Sequence, residues 1–284
     1  MQQTLKNKIK ISGIGLHSGC SSNLIIAPAK ENSGIVFVRS DLSEDNTCSA
    51  LYSNVVDTRN CTCLGMQNGQ IVSTIEHIMA TLYAFGIDNA IISVDNPEVP
   101  ILDGSAKVIC DSLAGAEIVE QTEKRKFLQV KKEVNFADNK GNFVSLKPAD
   151  EFKINFEIDF PSKIVGHQEF SAVIDKDLFV KQIAPARTFC EKYQVDYLRS
   201  IGLIKGGSLE NAVVLDGETI LNKDGFRLLD ECVKHKTLDL IGDMFTSGYR
   251  LKAEVTGYKS GHYHNNEVLK KLFADKSNYE IVEE

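Results

Sequence analysis

Two stretches of the chain carry a clear helical period. Between residues 73 and 86, Ile75, Ile78, Met79, Leu82 and Phe85 recur at helical spacing and predict a helix. Ser73-Thr74-Ile75-Glu76 at its start has the form of a capping box, in which Glu76 would satisfy backbone N–H groups of the first turn. The second stretch runs from about residue 231 to 246. Leu238, Leu240, Ile241, Met244 and Phe245 occupy one arc of that helix. His235, Asp239 and Asp243, at i, i+4 and i+8, stack along the opposite side. Such a polar row is either the solvated face of an amphipathic helix or a set of side chains gathered for chemistry.

The remaining pattern is richer in strands. Residues 8–30 alternate apolar and polar around a turn at Gly15-Leu16-His17-Ser18-Gly19, where His17 reads as a loop histidine or a substrate contact. Residues 31–70 are turn-rich, with short apolar runs such as Ile35–Val38, and predict strands and a small insertion. A buried strand is expected at Ala90–Val94, and a helix over about 105–114 after the turn Pro97–Ser105. The charged segment 118–127 marks a boundary between domains 1–122 and 123–284. Beyond it, strands are expected at 127–135, 142–147, 152–160, 212–215 and 251–258. Helices are expected at 191–201 and 265–273. His262 is placed in the glycine-flanked loop Ser260–Asn265. Strands and helices alternate in both halves, yet no internal sequence repeat relates them.

Composition narrows the function. At 284 residues and 43% hydrophobic content, the chain can bury a large core. Its net charge of −7, with no Lys/Arg-rich run, speaks against a nucleic-acid partner. A few local cations could still hold an anionic small molecule. Seven cysteines in scattered positions read as reduced thiols in a cytoplasmic protein. The N-terminus lacks an apolar signal segment, and no run is long enough to span a bilayer.

Six histidines limit the candidate chemistry: 17, 77, 167, 235, 262 and 264. A catalytic zinc site takes three protein ligands and leaves a position open. His77, His235 and Asp239 would supply that set, although His77 also reads as an ordinary core histidine. Glu76, next to His77, is the candidate general base, with the capping role as its rival. His262 would protonate a leaving amine, and Asp243 would hold its imidazole in the useful tautomer. Nothing local in the sequence brings residue 77 near residue 235.

Six motifs occur here in one order: Ile75-Glu76-His77, Val99–Ser105, Ala186-Arg187-Thr188-Phe189, Gly206–Leu209, His235–Asp243 and Gly261-His262 with Asn265. With the opening Gly13–Gly19, they resemble the bacterial UDP-3-O-acyl-N-acetylglucosamine deacetylases, zinc enzymes that commit the sugar to lipid A. The resemblance covers nearly the whole chain. It implies an α+β fold of two domains with similar topology, each a sheet layered against helices, with the active site between them. Each domain would carry an insertion. The second, near 190–220, would form a passage for the acyl chain, with Leu198, Ile201, Leu203 and Val214 as its lining.

Carried over by residue, the resemblance implies Zn²⁺ on His77, His235 and Asp239, Glu76 as base and His262 as cationic acid. It implies that Thr188 polarises the acetyl carbonyl, that Lys236 contacts substrate, and that Phe160 and Phe189 lie near the uridine. The implied setting is the cytoplasm of a Gram-negative bacterium, as a monomer acting on an acylated UDP-amino sugar. His262-Tyr263-His264 departs from the family pattern by a second histidine. A dehydratase of acyl thioesters is sometimes fused to this family; the motifs take up the chain, and no such domain is expected. A non-catalytic sugar-nucleotide binder would have dispensed with Glu76 or His262, and both are present.

Overall fold

Two sheets enclose helices in a layered α+β arrangement. The computed structural model describes all residues, Met1–Glu284. The first sheet orders its strands as Ile9–Ile14, Ser21–Pro28, Ala90–Val94, Ile35–Arg39 and Thr47–Ser49. Its successive pairings are antiparallel, antiparallel, parallel and antiparallel. In the second sheet, Val134–Ala137, Phe143–Pro148, Arg250–Tyr258, Phe152–Asp159 and His167–Val173 repeat that pattern of pairings. Lys126–Val130 and Tyr279–Glu283 extend this sheet at the start of the long Arg250–Tyr258 strand.

The helices are α1 (Glu76–Ala84), α2 (Lys107–Ala114), α3 (Lys176–Leu178), α4 (Lys192–Ser200), α5 (Glu231–Phe245) and α6 (His262–Ala274). α2 rests on the first sheet, and α5 and α6 rest on the second. α1 packs against both α2 and α5 and so joins the two layers. The strands supply the apolar faces that the helices cover. In Phe152–Asp159, for instance, Phe152, Ile154, Phe156 and Ile158 point inward in strict alternation. One continuous buried cluster runs from Leu24 and Ile26 through Ile78 and Leu82 to Leu238, Ile241 and Phe156. None of the helices is long and apolar enough to cross a membrane.

Each sheet bears an excursion. Val55–Asp57, Cys63–Gly65 and Ile71–Val72 form a small antiparallel sheet just before α1. Phe189–Glu191, α4 and Val213–Asp216 form a βαβ unit, since the two strands are parallel, and Thr219–Ile220 adds an antiparallel edge.

Three expected boundaries move. α1 begins at Glu76 and not at Ser73, because Thr74 has φ of +59° and breaks the helical path. Ser73 instead donates its hydroxyl to the Pro97 carbonyl. The capping box is therefore absent, and Glu76 is released from that role. α6 begins at His262, three residues early, so His262 occupies a first helical turn and not a loop. The expected strand 127–135 divides into Lys126–Val130 and Val134–Ala137, which lie in different parts of the sheet.

Candidate active site

The row His235, Asp239 and Asp243 is not a solvated face. These side chains belong to residues only 3%, 4% and 3% exposed, and every residue of α5 except Lys236 is buried. α1 covers His235 and Asp239, whereas Thr62 and α6 cover Asp243. At the crossing, Gly242 lies so close to the Glu76 backbone that an added Cβ would stand 2.1 Å from the Glu76 carbonyl oxygen. Only glycine fits there, and its absence of a side chain lets the N-terminus of α1 reach α5. That approach sets Glu76 and His77 beside His235 and Asp239.

The ligand atoms of His77, His235 and Asp239 all lie within 4.8 Å of one another. Asp239 Oδ1 stands 3.7 Å from His77 Nε2 and 3.5 Å from His235 Nε2. A tetrahedral ion with bonds of about 2.0–2.2 Å separates its donors by about 3.4 Å, so these residues fit a divalent metal and leave a position open. His235 Nδ1 lies 3.1 Å from the Ala186 carbonyl oxygen. A carbonyl only accepts, so Nδ1 carries the proton and the Nε2 lone pair faces the site. Burial, above all, pushes the His235 pKa down to about 4, which keeps that ring neutral. Burial works to raise Asp239, but Lys236 and His235 outweigh it and hold the carboxyl well below its ordinary range. Lys236 Nζ donates to Asp239 Oδ2 at 2.7 Å.

Glu76 sits beside the ligands with Oε2 accepting from the Thr62 N–H at 3.1 Å. Burial raises its pKa above the ordinary value. His262 Nδ1 lies 2.7 Å from Asp243 Oδ2, which also accepts from Asn265 Nδ2 at 2.8 Å. The other oxygen, Oδ1, accepts from the Thr62 hydroxyl at 2.6 Å. Burial alone would lower the His262 pKa; the Asp243 carboxylate, followed by those of Glu76 and Asp239, more than reverses this and raises it to about 9.

These groups open on one cavity of about 770 Å³. Glu76, His77, Thr188, His235, Lys236, Asp239 and His262 line its polar end. Phe160 and Phe189 line it too, in edge contact with ring centroids 5.4 Å apart. Leu198 and Val214 belong to its apolar arm with Val195, Ile204, Leu209 and Leu215. Ile201 and Leu203 do not: they follow α4 as the chain turns outward, and Ile201 is 53% exposed. Asp243 lies behind His262 and does not line the cavity. His17 lines it, with both ring nitrogens buried and without a protein partner.

Several supports were not legible in the sequence. Arg187 donates from its backbone N–H and Nε to Glu231 Oε1, at 2.9 and 2.8 Å, which fixes the segment carrying Ala186 and Thr188. Buried Glu98 accepts the backbone N–H groups of His17 and Ser18, each at 2.8 Å, and so shapes the loop over the cavity. Thr62 and Asn265 hold Asp243. A charged residue inside a recurring motif, as with Arg187, is a usable signal; Thr62 offers none.

The sequence pattern of the UDP-3-O-acyl N-acetylglycosamine deacetylase family matches residues 2–274. A UDP-3-O-acyl-N-acetylglucosamine deacetylase of Histophilus somni is 44% identical over 283 residues, covering 99% of this chain and 92% of that protein. Proteins of the same name from Pasteurella multocida and Nitratiruptor are each 43% identical, covering 99% of this chain and 92% and 93% of their own lengths.

Proposed function

Because the chain belongs to the UDP-3-O-acyl-N-acetylglucosamine deacetylase family, and so acts in lipid A biosynthesis, we propose that it works as a zinc amidase with Glu76 as base and His262 as acid. The observation that carries this reading is the convergence of His77, His235 and Asp239 next to Glu76, at the end of a cavity that His262 also lines. An imidazole–imidazole–carboxylate set with an open position suits Zn²⁺. When bound there, the ion supplies Lewis acidity, bringing water toward a pKa of about 7 and polarising a carbonyl.

The chain's own residues do the rest. Glu76 takes the proton from the attacking water; its raised pKa makes it a better base than an exposed carboxylate. Thr188, at the rim of the metal site, donates its hydroxyl to the acetyl oxygen as charge develops there. His262, cationic beside Asp243, offsets that charge and delivers its proton to the departing amine. Acetate and the free 2-amino sugar nucleotide leave. Lys236 remains bound to Asp239 and reaches the substrate from the ligand side.

The cavity matches the two ends of the acylated UDP-sugar. Phe160 and Phe189 offer aromatic edges to the uridine. Leu198 and Val214 take the acyl chain. The cavity takes residues from both expected domains, 1–122 and 123–284, and the reading is of a monomeric catalyst with its site between them. Seven free thiols and the bacterial relatives support a cytoplasmic setting.

The test joins metal analysis to catalysis. About one Zn²⁺ per chain is expected, with His235→Ala and Asp239→Ala both binding it more weakly. Glu76→Gln should fold and hold metal like the parent while kcat falls by about a hundredfold or more. If His235→Ala binds metal and turns over like the parent, the reading is wrong.

A further inference from the structure

Thr62 is 2% exposed and lies in the turn between the strands Val55–Asp57 and Cys63–Gly65. Its backbone N–H donates to Glu76 Oε2 at 3.1 Å, and its hydroxyl donates to Asp243 Oδ1 at 2.6 Å. Its carbonyl accepts from the Ile75 N–H at 3.5 Å, which ties the turn to the start of α1. We infer that Thr62 is a positioning residue for deacetylation, clamping the base with its backbone and the carboxylate behind the acid with its side chain. This rests on the assignment of Glu76 as base and His262 as acid.

The two contacts divide the work of one residue. Glu76 lines the cavity, and with Oε2 held by Thr62 its other carboxylate oxygen is left for the water. Asp243 needs both its oxygens tethered to aim at His262. Oδ2 receives His262 Nδ1 and Asn265 Nδ2, whereas Oδ1 receives only Thr62. Without the hydroxyl, the carboxylate is held through Oδ2 alone, by His262 and Asn265, and the imidazole is oriented less tightly. Buried polar groups tethered in this way are held to one geometry. The hydroxyl and the N–H belong to one residue, so Thr62 links Glu76 on α1 to Asp243 on α5 and, through Asp243, to His262 on α6. Thr62 makes no hydrogen bond to His77, His235 or Asp239 and does not line the cavity, and it acts through Glu76 and Asp243.

Thr62→Val keeps the shape and the backbone N–H and removes only the hydroxyl. We expect unchanged zinc affinity and KM, and a kcat lower by about ten- to a hundredfold. Thr62→Ser, which restores the donor, should recover most of the loss. In a double-mutant cycle, Thr62→Val should cost little more once Asp243→Asn is present. In the metal-free protein, the His262 Nδ1–H proton resonance should be sharp in the parent and in Thr62→Ser and broadened by exchange in Thr62→Val. Parental kcat in Thr62→Val overturns the inference, as does equal impairment of the Val and Ser variants or full additivity with Asp243→Asn. If circular dichroism shows Thr62→Val unfolded, Thr62→Ala takes its place under the same criteria. Glu76→Gln and His262→Gln serve as controls: parental activity in both removes the assignment beneath the inference. Impairment of both, with Thr62→Val unimpaired, removes the inference alone.

Discussion

His262 carries a proton where burial and a helix N-terminus both oppose one. The Asp243 carboxylate at 2.7 Å, with smaller help from Glu76 and Asp239, overcomes that opposition and lifts the pKa from 6.5 to about 9. A group whose pKa rises on folding holds its proton more tightly in the native state. Its stabilising effect is therefore complete below pH 6.5 and is lost as pH climbs through about 9. Activity should follow the same sense, with kcat/KM falling on the alkaline side as His262 deprotonates. A bound divalent cation repels the imidazolium, so in the loaded enzyme this limb lies at or below about 9. Asp243→Asn removes the charge that holds the proton, and its alkaline limb should move toward neutrality. A pH–rate series on parent and variant checks this; coincident limbs would show that another group controls the profile.

At the scale of elements, the site depends on how closely α1 can lie on α5. Gly242 sets that distance, and a methyl group there meets the Glu76 carbonyl at 2.1 Å. The obstacle is backbone on both sides, so no side chain can rotate away. Gly242→Ala should destabilise the fold by about 1–3 kcal/mol as an overpacked core does. It should also weaken metal binding, because it pushes His77 away from His235 and Asp239 without altering any ligand. Thermal melts with zinc titration measure both effects; parental metal affinity in a destabilised Gly242→Ala would mean that the ligands adjust independently of the crossing. A second close approach locks the excursion 189–220 to the first half of the chain. Gly104, with φ of +82°, lies where an added Cβ would stand 2.0 Å from the Asn211 carbonyl oxygen.

For the whole molecule, one cavity must serve a charged nucleotide, a reacting amide and an aliphatic chain. The apolar arm around Leu198 and Val214 is remote from the ligands in sequence but continuous with them in space. At about 0.8 kcal/mol per buried CH₂, a few methylenes outweigh one neutral hydrogen bond of about 1 kcal/mol. A substrate without the acyl group should therefore react orders of magnitude more slowly, with part of the loss in kcat if remote binding aligns the amide. Val214→Arg should impair the acylated substrate and spare the unacylated one, which uses the same Glu76 and His262. Comparing kcat/KM for both substrates on both proteins isolates the arm. Equal slowing of the two would make Val214 a support of the fold alone.

The sequence by itself determined the local elements and the residue types of the site. Helical period located α1 and α5, because side chains on one face recur at the period of the backbone, and short apolar or strand-like runs located Ala90–Val94 and Phe152–Asp159. The i, i+4 spacing likewise placed His235 and Asp239 on one side of a helix. Whether that side met water or the protein interior was undetermined, since amphipathic spacing is the same for a solvated face and a buried polar one. The capping motif at Ser73–Glu76 misled for a related reason: Thr74 adopts φ of +59°, and the helix starts beyond it. The tertiary structure decided the rest. It brought His77 to His235, joined Asp243 to His262, and set Thr62 between Glu76 and Asp243. The approaches of His77 to His235 and of Thr62 to Asp243 each span more than half of the chain, and the packing of α1 on α5, which depends on the missing side chain at Gly242, makes the first of them close.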